Sequence, residues 1–223
     1  MLLVATLAPA AVAASCSNYR AFDLDGDGTA EYVSFTYNRV AGGHPMGGDI
    51  VVSHKINGRL KPVWRQRGLN PWKIEIGDVD GDGRKEVVAG VWKKSRYDPV
   101  FANRPFVYSW NGKRLIPRWL GSRLSRRFTD FVLCQLDRGN KTELIALEEA
   151  PRGAKYVTVY RWRAFGFDGV GRVGPITGVR SLQSKNGQVL AETGQGLYSL
   201  KLVKEKLKFT LISEAGNGRA SVR

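Results

Sequence analysis

The sequence predicts an all-β chain of repeated four-stranded sheets, and three observations carry that expectation. A loop of alternating aspartates and glycines, closed by a glutamate and followed by an apolar stretch, occurs at 22–35 (FDLDGDGTAEYVSF) and again 55 residues later at 77–90 (GDVDGDGRKEVVAG). Short segments of alternating apolar residues fill the intervals, the pattern of strands half-buried in stacked sheets. Asn57-Gly58 and Asn111-Gly112 stand at matching places in two units, and Asn-Gly suits a two-residue hairpin turn because both central positions need positive φ. No amphipathic helical pattern is evident.

The repeat orders the whole chain. A third copy, CQLDRGNKTELIAL, begins 57 residues after the second with its acids partly lost, and a fourth, RSLQSKNGQVLAE at 180–192, keeps only a turn and the strand after it. The later parts also align, HKINGRLKPVW (54–64) with YSWNGKRLIPRW (108–119). In the second unit the expected strands are WKIEIGDV, KEVVAGVWK, PFVYSWN and KRLIPRWL. Four-stranded units at a period near 50 residues describe radial sheets, a β-propeller. The simplest count is four blades, over about 17–70, 71–124, 125–175 and 176–213; five blades, or an incomplete ring that closes by dimerising, are the alternatives. A single domain over 16–215 and a flexible tail over 216–223 complete the division.

Residues 1–15, MLLVATLAPAAVAAS, are apolar, small and uncharged, and Ala11-Val12-Ala13 offers an A-x-A cleavage site. They read as a secretory leader, although the usual positive n-region is missing. The protein is therefore expected to be exported: periplasmic, at the cell surface or secreted. No run of 18 or more apolar residues occurs, so no transmembrane helix is expected. The two cysteines, Cys16 and Cys134, make neither a disulfide framework nor a zinc site, though they could pair in an oxidising compartment. Cys16 follows the leader closely enough to suggest a lipid anchor, but Ala13 stands where a branched apolar residue is usual.

Four carboxylates within nine residues repel one another unless a cation lies between them. In DVDGDGRKE the side chains of Asp78, Asp80 and Asp82 can turn inward, the Arg84 carbonyl can add an oxygen, and Glu86 can close the site, a donor set suited to Ca2+. The first loop repeats it with Asp23, Asp25, Asp27, the Thr29 carbonyl and Glu31. An EF-hand is excluded, because position twelve is Ser34 or Ala89 and the flanks are strand-like. In the third loop Gln135 and Gly139 replace two aspartates, so Asp137 and Glu143 are expected to hold no tight calcium. The fourth, SLQSKNGQ, has no acids and should be a plain turn.

DLDGDGTAE and DVDGDGRKE, each opening a blade-length repeat, resemble the calcium loops of FG-GAP/VCBS-type propeller repeats, as in integrin α-chain propellers and many bacterial exported proteins. The resemblance implies calcium held between the first two strands of a blade in a structural role. It also implies binding or adhesion more often than catalysis. The phenylalanine-glycine-glycine-alanine-proline signature itself is not visible, and the chain is shorter than seven-bladed members.

Other signals weigh less. GVGRVG (169–174) matches a dinucleotide fingerprint literally but leads into Pro175 and a β-like stretch, so it reads as a glycine-rich turn. His44, in AGGHPMGGD, is expected in a solvent-exposed turn. The six tryptophans are expected to pack between blades. Asn140-Lys141-Thr142 spells a glycosylation sequon.

The formal net charge is +15. Eight of the twenty acids belong to the two calcium loops, leaving twelve against thirty-five Lys and Arg. Basic clusters recur at Arg59–Lys61, Arg65–Arg67, Lys93–Arg96, Arg123–Arg127 and Lys201–Lys208. Such a surface attracts polyanions, and an exported protein meets acidic glycan or lipid headgroups before nucleic acid. The leading expectation is a calcium-stabilised binding module for a protein, anionic glycan or anionic lipid. The rivals are a lyase or hydrolase acting on acidic polysaccharide, and a structural envelope lipoprotein.

Overall fold

In the computed structural model of the chain, residues 20–137, 139–194, 196–203 and 206–214 are described. The expected leader, Cys16 and the tail lie outside them, and with Cys16 the alternatives of pairing with Cys134 and of a lipid anchor. The first unit contains β1 (Arg20–Phe22), β2 (Glu31–Thr36), a small hairpin of β3 (Arg39–Ala41) and β4 (His44–Met46), then β5 (Asp49–Ile56) and β6 (Arg59–Gln66). The second contains β7 (Pro71–Gly77), β8 (Glu86–Lys93), β9 (Ala102–Trp110) and β10 (Leu115–Leu120). The third contains β11 (Phe128–Cys134), β12 (Glu143–Glu149), β13 (Lys155–Arg163) and β14 (Gly166–Ile176). The fourth contains β15 (Val179–Lys185), β16 (Gln188–Thr193), β17 (Gly196–Val203) and β18 (Lys206–Glu214). Apart from the β3–β4 hairpin, each unit is one four-stranded antiparallel meander, and the only helical piece among the described residues is a 3-10 turn at Pro151–Gly153. The fold is all-β and propeller-like, with four blades among the described residues.

The strand sequences follow from which blade faces are covered. EVVAGV in β8 and ELIALE in β12 are near-continuously buried, because a blade with neighbours on both sides buries both faces of its strands. Val87, Ala89 and Val91 face the first blade, while Val88 faces the third. Three apolar cores result. One, around Leu24, Val33, Ile50 and Val87, joins blades one and two; one, around Val79, Phe131, Leu144 and Trp162, joins two and three; one, around Ile145, Val157, Val189 and Leu200, joins three and four. Cys134 is buried in the last. Five of the six tryptophans pack in or against the first two cores, as expected.

The outer blades differ. In EYVSFT (β2) and QVLAET (β16) buried apolar residues alternate with polar or half-exposed ones. Among the described residues no buried apolar cluster joins the fourth blade to the first. The innermost strands β1, β7, β11 and β15 instead meet around a polar axial cavity of about 320 Å³, lined by Arg20, Lys73, Glu75, Val132, Leu182 and Gln183. Lys73 Nζ lies 2.7 Å from Asp130 Oδ1, and Arg20 lies 3.6 Å from Glu75. Burial raises the Glu75 carboxyl above its ordinary range, against the pull of Lys73 and Arg20.

Three local expectations are corrected. His44 does not sit in a solvent-exposed turn: its ring stacks on Trp92 at 3.5 Å and 3°, docking the β3–β4 hairpin on the second blade. GVGRVG is no turn but part of β14, paired along β13. Asn57-Gly58 has the positive φ pair (51° and 76°) of the expected hairpin. In the longer second loop, however, only Gly112 has positive φ, and Asn111 Oδ1 accepts the amides of Lys113 and Arg114. The turn expected in the fourth unit is Asn186-Gly187 (φ 51° and 69°).

Candidate metal centres in the acidic loops

Each acidic loop joins the first strand of a blade to the second. Its second residue points into an inter-blade core, Leu24 in the first loop and Val79 in the second, so burial of that residue turns its aspartate neighbours to the opposite side. Main-chain hydrogen bonds couple the loops in series: Lys85 N donates to Leu24 O (3.1 Å), and Thr142 N to Asp78 O (2.7 Å). The Asn140 side-chain amide adds a bond to Gly81 O at 2.7 Å.

Within the loops the geometry is reproduced. Asp23 accepts the amides of Gly26 (2.7 Å) and Gly28 (2.9 Å), and Asp78 those of Gly81 (2.6 Å) and Gly83 (2.9 Å). All four glycines have φ between 80° and 90°, which a side chain would oppose. Asp27 accepts from Thr29 N at 2.7 Å and Asp82 from Arg84 N at 2.8 Å. Thr29 and Arg84 thus stand at the turn where the sequence places them. The glutamates reach back across the loop: Glu31 Oε2 accepts from Leu24 N (3.0 Å), and Glu86 Oε2 from Val79 N (3.1 Å).

Carboxylate oxygens converge in both. In the first loop Asp23, Asp25 and Asp27 each bring one oxygen within 4.8 Å of the others, and in the second Asp78, Asp80 and Glu86 do so. Glu31 and Asp82 fall outside those triplets, yet each is close enough to act on its loop's other carboxylates. Asp25 and Asp27 raise the Glu31 carboxyl after burial has done so first. Glu86 is pushed up to about 7, chiefly by burial and then by Asp80 and Asp82, with the Val79 amide and Ser109 opposing.

The residues fit a hard cation. Asp25 Oδ1 is buried and accepts no hydrogen bond, a condition costly for a carboxylate oxygen unless a positive group faces it. In the second loop Arg118 NH2 supplies part of that charge, 2.6 Å from Asp80 Oδ2. An all-oxygen set drawn from aspartates, a glutamate and main chain is calcium-like in chemistry.

The third loop shows what happens without the aspartates. Glu143 is fully buried, and the Arg161 guanidinium lies 2.8 Å from it and 2.6 Å from Asp137. Arg161 follows Tyr160, which pairs with Leu144. The same ladder position holds His54 in blade one and Ser109 in blade two. His54 Nε2 lies 3.4 Å from Glu31 Oε1 without a hydrogen bond, and Ser109 Oγ donates to Glu86 Oε1 at 3.3 Å. Blade three thus carries its own cation. Arg161 was not marked in the sequence, since one arginine in YRWRAF signals nothing until the register is known.

Two further clusters escaped sequence reasoning. Buried Glu148 accepts Thr158 Oγ1 (2.6 Å), Ser125 Oγ (3.1 Å), the Arg126 amide (3.2 Å) and the Tyr160 hydroxyl, with Arg172 NH2 at 3.4 Å. Burial and that carboxylate push the Tyr160 phenol up to about 12. A carboxylate so fully engaged anchors the 122–127 segment to the third blade. Arg104, with no exposed surface, donates to the carbonyls of Lys93 (2.6 Å), Val100 (2.6 Å), Asp98 (2.8 Å) and Ser122, and its guanidinium lies 3.3 Å from the Asp98 carboxylate. It fixes the 94–101 loop.

No helix among the described residues is long and apolar enough to cross a membrane. A search of curated proteins finds no match. Residues 23–89, from the first aspartate of the first loop to the strand beyond the second, match the FG-GAP-like repeat family. The chain therefore contains an FG-GAP-like repeat, folded as most of its first blade and the opening of its second.

Proposed function

We propose that the chain is an exported β-propeller interaction module whose first two blades are stabilised by calcium. The FG-GAP-like repeat and the propeller-like fold support the module. The metal rests on one observation above all, the orphaned, buried Asp25 Oδ1 among three converging carboxylates. Asp23, Asp25, Asp27 and Glu31, with the Thr29 carbonyl, would hold one ion. Asp78, Asp80, Asp82 and Glu86, with the Arg84 carbonyl, would hold the second. Bound calcium neutralises carboxylates whose mutual repulsion and burial oppose folding. Because Leu24 and Val79 sit in the cores beneath, closing each loop also fixes the angle between neighbouring blades.

The apolar, small-residue leader supports export. The partner is anionic: a glycan, a lipid or an acidic protein surface, drawn by the excess of Lys and Arg over acids outside the loops.

Thermal unfolding with calcium and with chelator tests the metal. Calcium should raise the midpoint in proportion to the logarithm of its concentration above Kd. A midpoint unmoved by both additions would sink the assignment. Binding to arrays of acidic glycans and anionic lipids at physiological salt tests the partner class, and an absence of binding to either would remove those two.

A further inference from the structure

A pocket of about 430 Å³ opens between blades one and two, built from residues other than those of the acidic loops. Its floor is apolar: Leu69 and Phe106 are buried there, and Pro117 and Leu120 form one lip. Leu120 keeps half its surface exposed, and Tyr97 on the opposite side is 82% exposed. Lys94 and Arg96 stand at the mouth. Lys94 Nζ lies 5.4 Å above the Phe101 ring and Arg96 lies 5.8 Å above the Tyr97 ring. Neither makes an ion pair with a described carboxylate.

The charge at the mouth is one-sided by construction. No acid lines the pocket, and the nearest in sequence, Asp98, is engaged by buried Arg104. The same Arg104 bonds to the carbonyls of Lys93, Asp98 and Val100, so the loop bearing Lys94 and Arg96 is held before any ligand arrives, which lowers the ordering cost of binding. The Lys93 ammonium is taken up by Gly68 O at 3.1 Å, leaving Lys94 and Arg96 as the free cations.

We propose that this pocket binds a small amphipathic carboxylate, an acyl chain laid on Leu69 and Phe106 and against Leu120, with its carboxylate between Lys94 and Arg96. Its volume lies within the ordinary range for small-molecule sites, which are mostly apolar with a few placed polar groups. A sugar would oppose hydroxyls to Leu69, Phe106 and Leu120 and leave them unpaired. Buried Tyr108 lines the same floor. The inference rests on the reading of the chain as a module for an anionic partner, and not on the metal.

Calorimetric titration of the full chain in calcium with decanoate, and with 1-decanol as the uncharged control, tests it. Decanoate should bind one to one, with decanol weaker by roughly tenfold or more. Lys94→Glu/Arg96→Glu and, separately, Leu120→Asp should each weaken decanoate by roughly tenfold or more while leaving the melting temperature unchanged. Equal binding of acid and alcohol, or variants that bind as the parent does, would overturn the proposal. Failure of decanoate to bind a protein that still binds acidic glycan or anionic lipid on the arrays would overturn the pocket alone and leave the reading of an anionic partner standing.

Discussion

The Arg161 guanidinium lies 2.8 Å from the fully buried Glu143 carboxylate, one ladder step beyond the Leu144–Tyr160 pair. Blades one and two place an uncharged or weakly basic side chain at that step and gather aspartates instead. The third loop is thus neutralised by the polypeptide itself, and the proposed calcium would do the same for the first two.

Removing the internal route should be costly. Arg161→Gln leaves Glu143 buried and uncompensated, and should destabilise the protein by about 3 kcal/mol in urea unfolding. Exchanging the routes is the stronger test. Gln135→Asp/Gly139→Asp/Arg161→Ser should convert the third loop into a calcium-dependent one, read as a larger calcium-induced rise in melting temperature than in the parent.

Asp25→Asn and Asp78→Asn remove one carboxylate from each centre. Each should lower the calcium-dependent part of the melting shift, and the double variant should abolish it. Because the asparagine also relieves repulsion, the metal-free Asp25→Asn variant should melt no lower than the metal-free parent, whereas Asp78→Asn, which gives up one of the two oxygens that accept the Gly81 and Gly83 amides, should melt lower. Differential scanning calorimetry with chelator and with calcium separates the two effects.

The axial carboxylate Glu75 gives a pH signature. Its folded-state pKa is raised above the ordinary 4.5, so the folded chain holds this proton more tightly than the unfolded chain. Its contribution to stability therefore falls as pH rises through 4.5 toward the folded pKa. Glu75→Gln should raise the melting temperature at pH 7, and the gain should shrink below pH 4.5.

Packing between blades two and three leaves no room at Gly90. A Cβ there would lie 2.7 Å from the Trp72 ring and 2.8 Å from Phe131. Gly90→Ala should cost roughly 1–3 kcal/mol by chemical denaturation. Leu24→Ala, beneath the first loop, should cost about 3 kcal/mol through its cavity, and should also weaken calcium binding by loosening the loop's anchor.

Much of the fold was legible because the repeat is written in the backbone's own needs. Positive-φ glycines mark the acidic loops, and Asn-Gly marks two hairpins. Continuous apolar runs such as EVVAGV mark strands covered on both faces. The acidic clusters were legible for the same reason, since aspartate and glycine alternate within nine residues. What stayed hidden depends on residues far apart in sequence. Arg161 gains meaning only when β12 and β13 are in register, and Arg104 only when the 94–101 loop folds over it. His44 reads as a loop residue until the hairpin carries it onto Trp92. The fourth loop could be read as a turn, but that no apolar core joins the described residues of blades one and four becomes visible only once the blades are assembled.

That arrangement behaves as links in series: among the described residues three apolar joints hold four plates around a charged hub. Torque on one plate is passed through those joints to its neighbour. The end plates should therefore loosen first, the fourth before the first, because the first is gripped by an acidic loop and the fourth has only a two-residue turn in its place. Hydrogen exchange should record that order as protection rising from β16–β17 through β2 to β8 and β12.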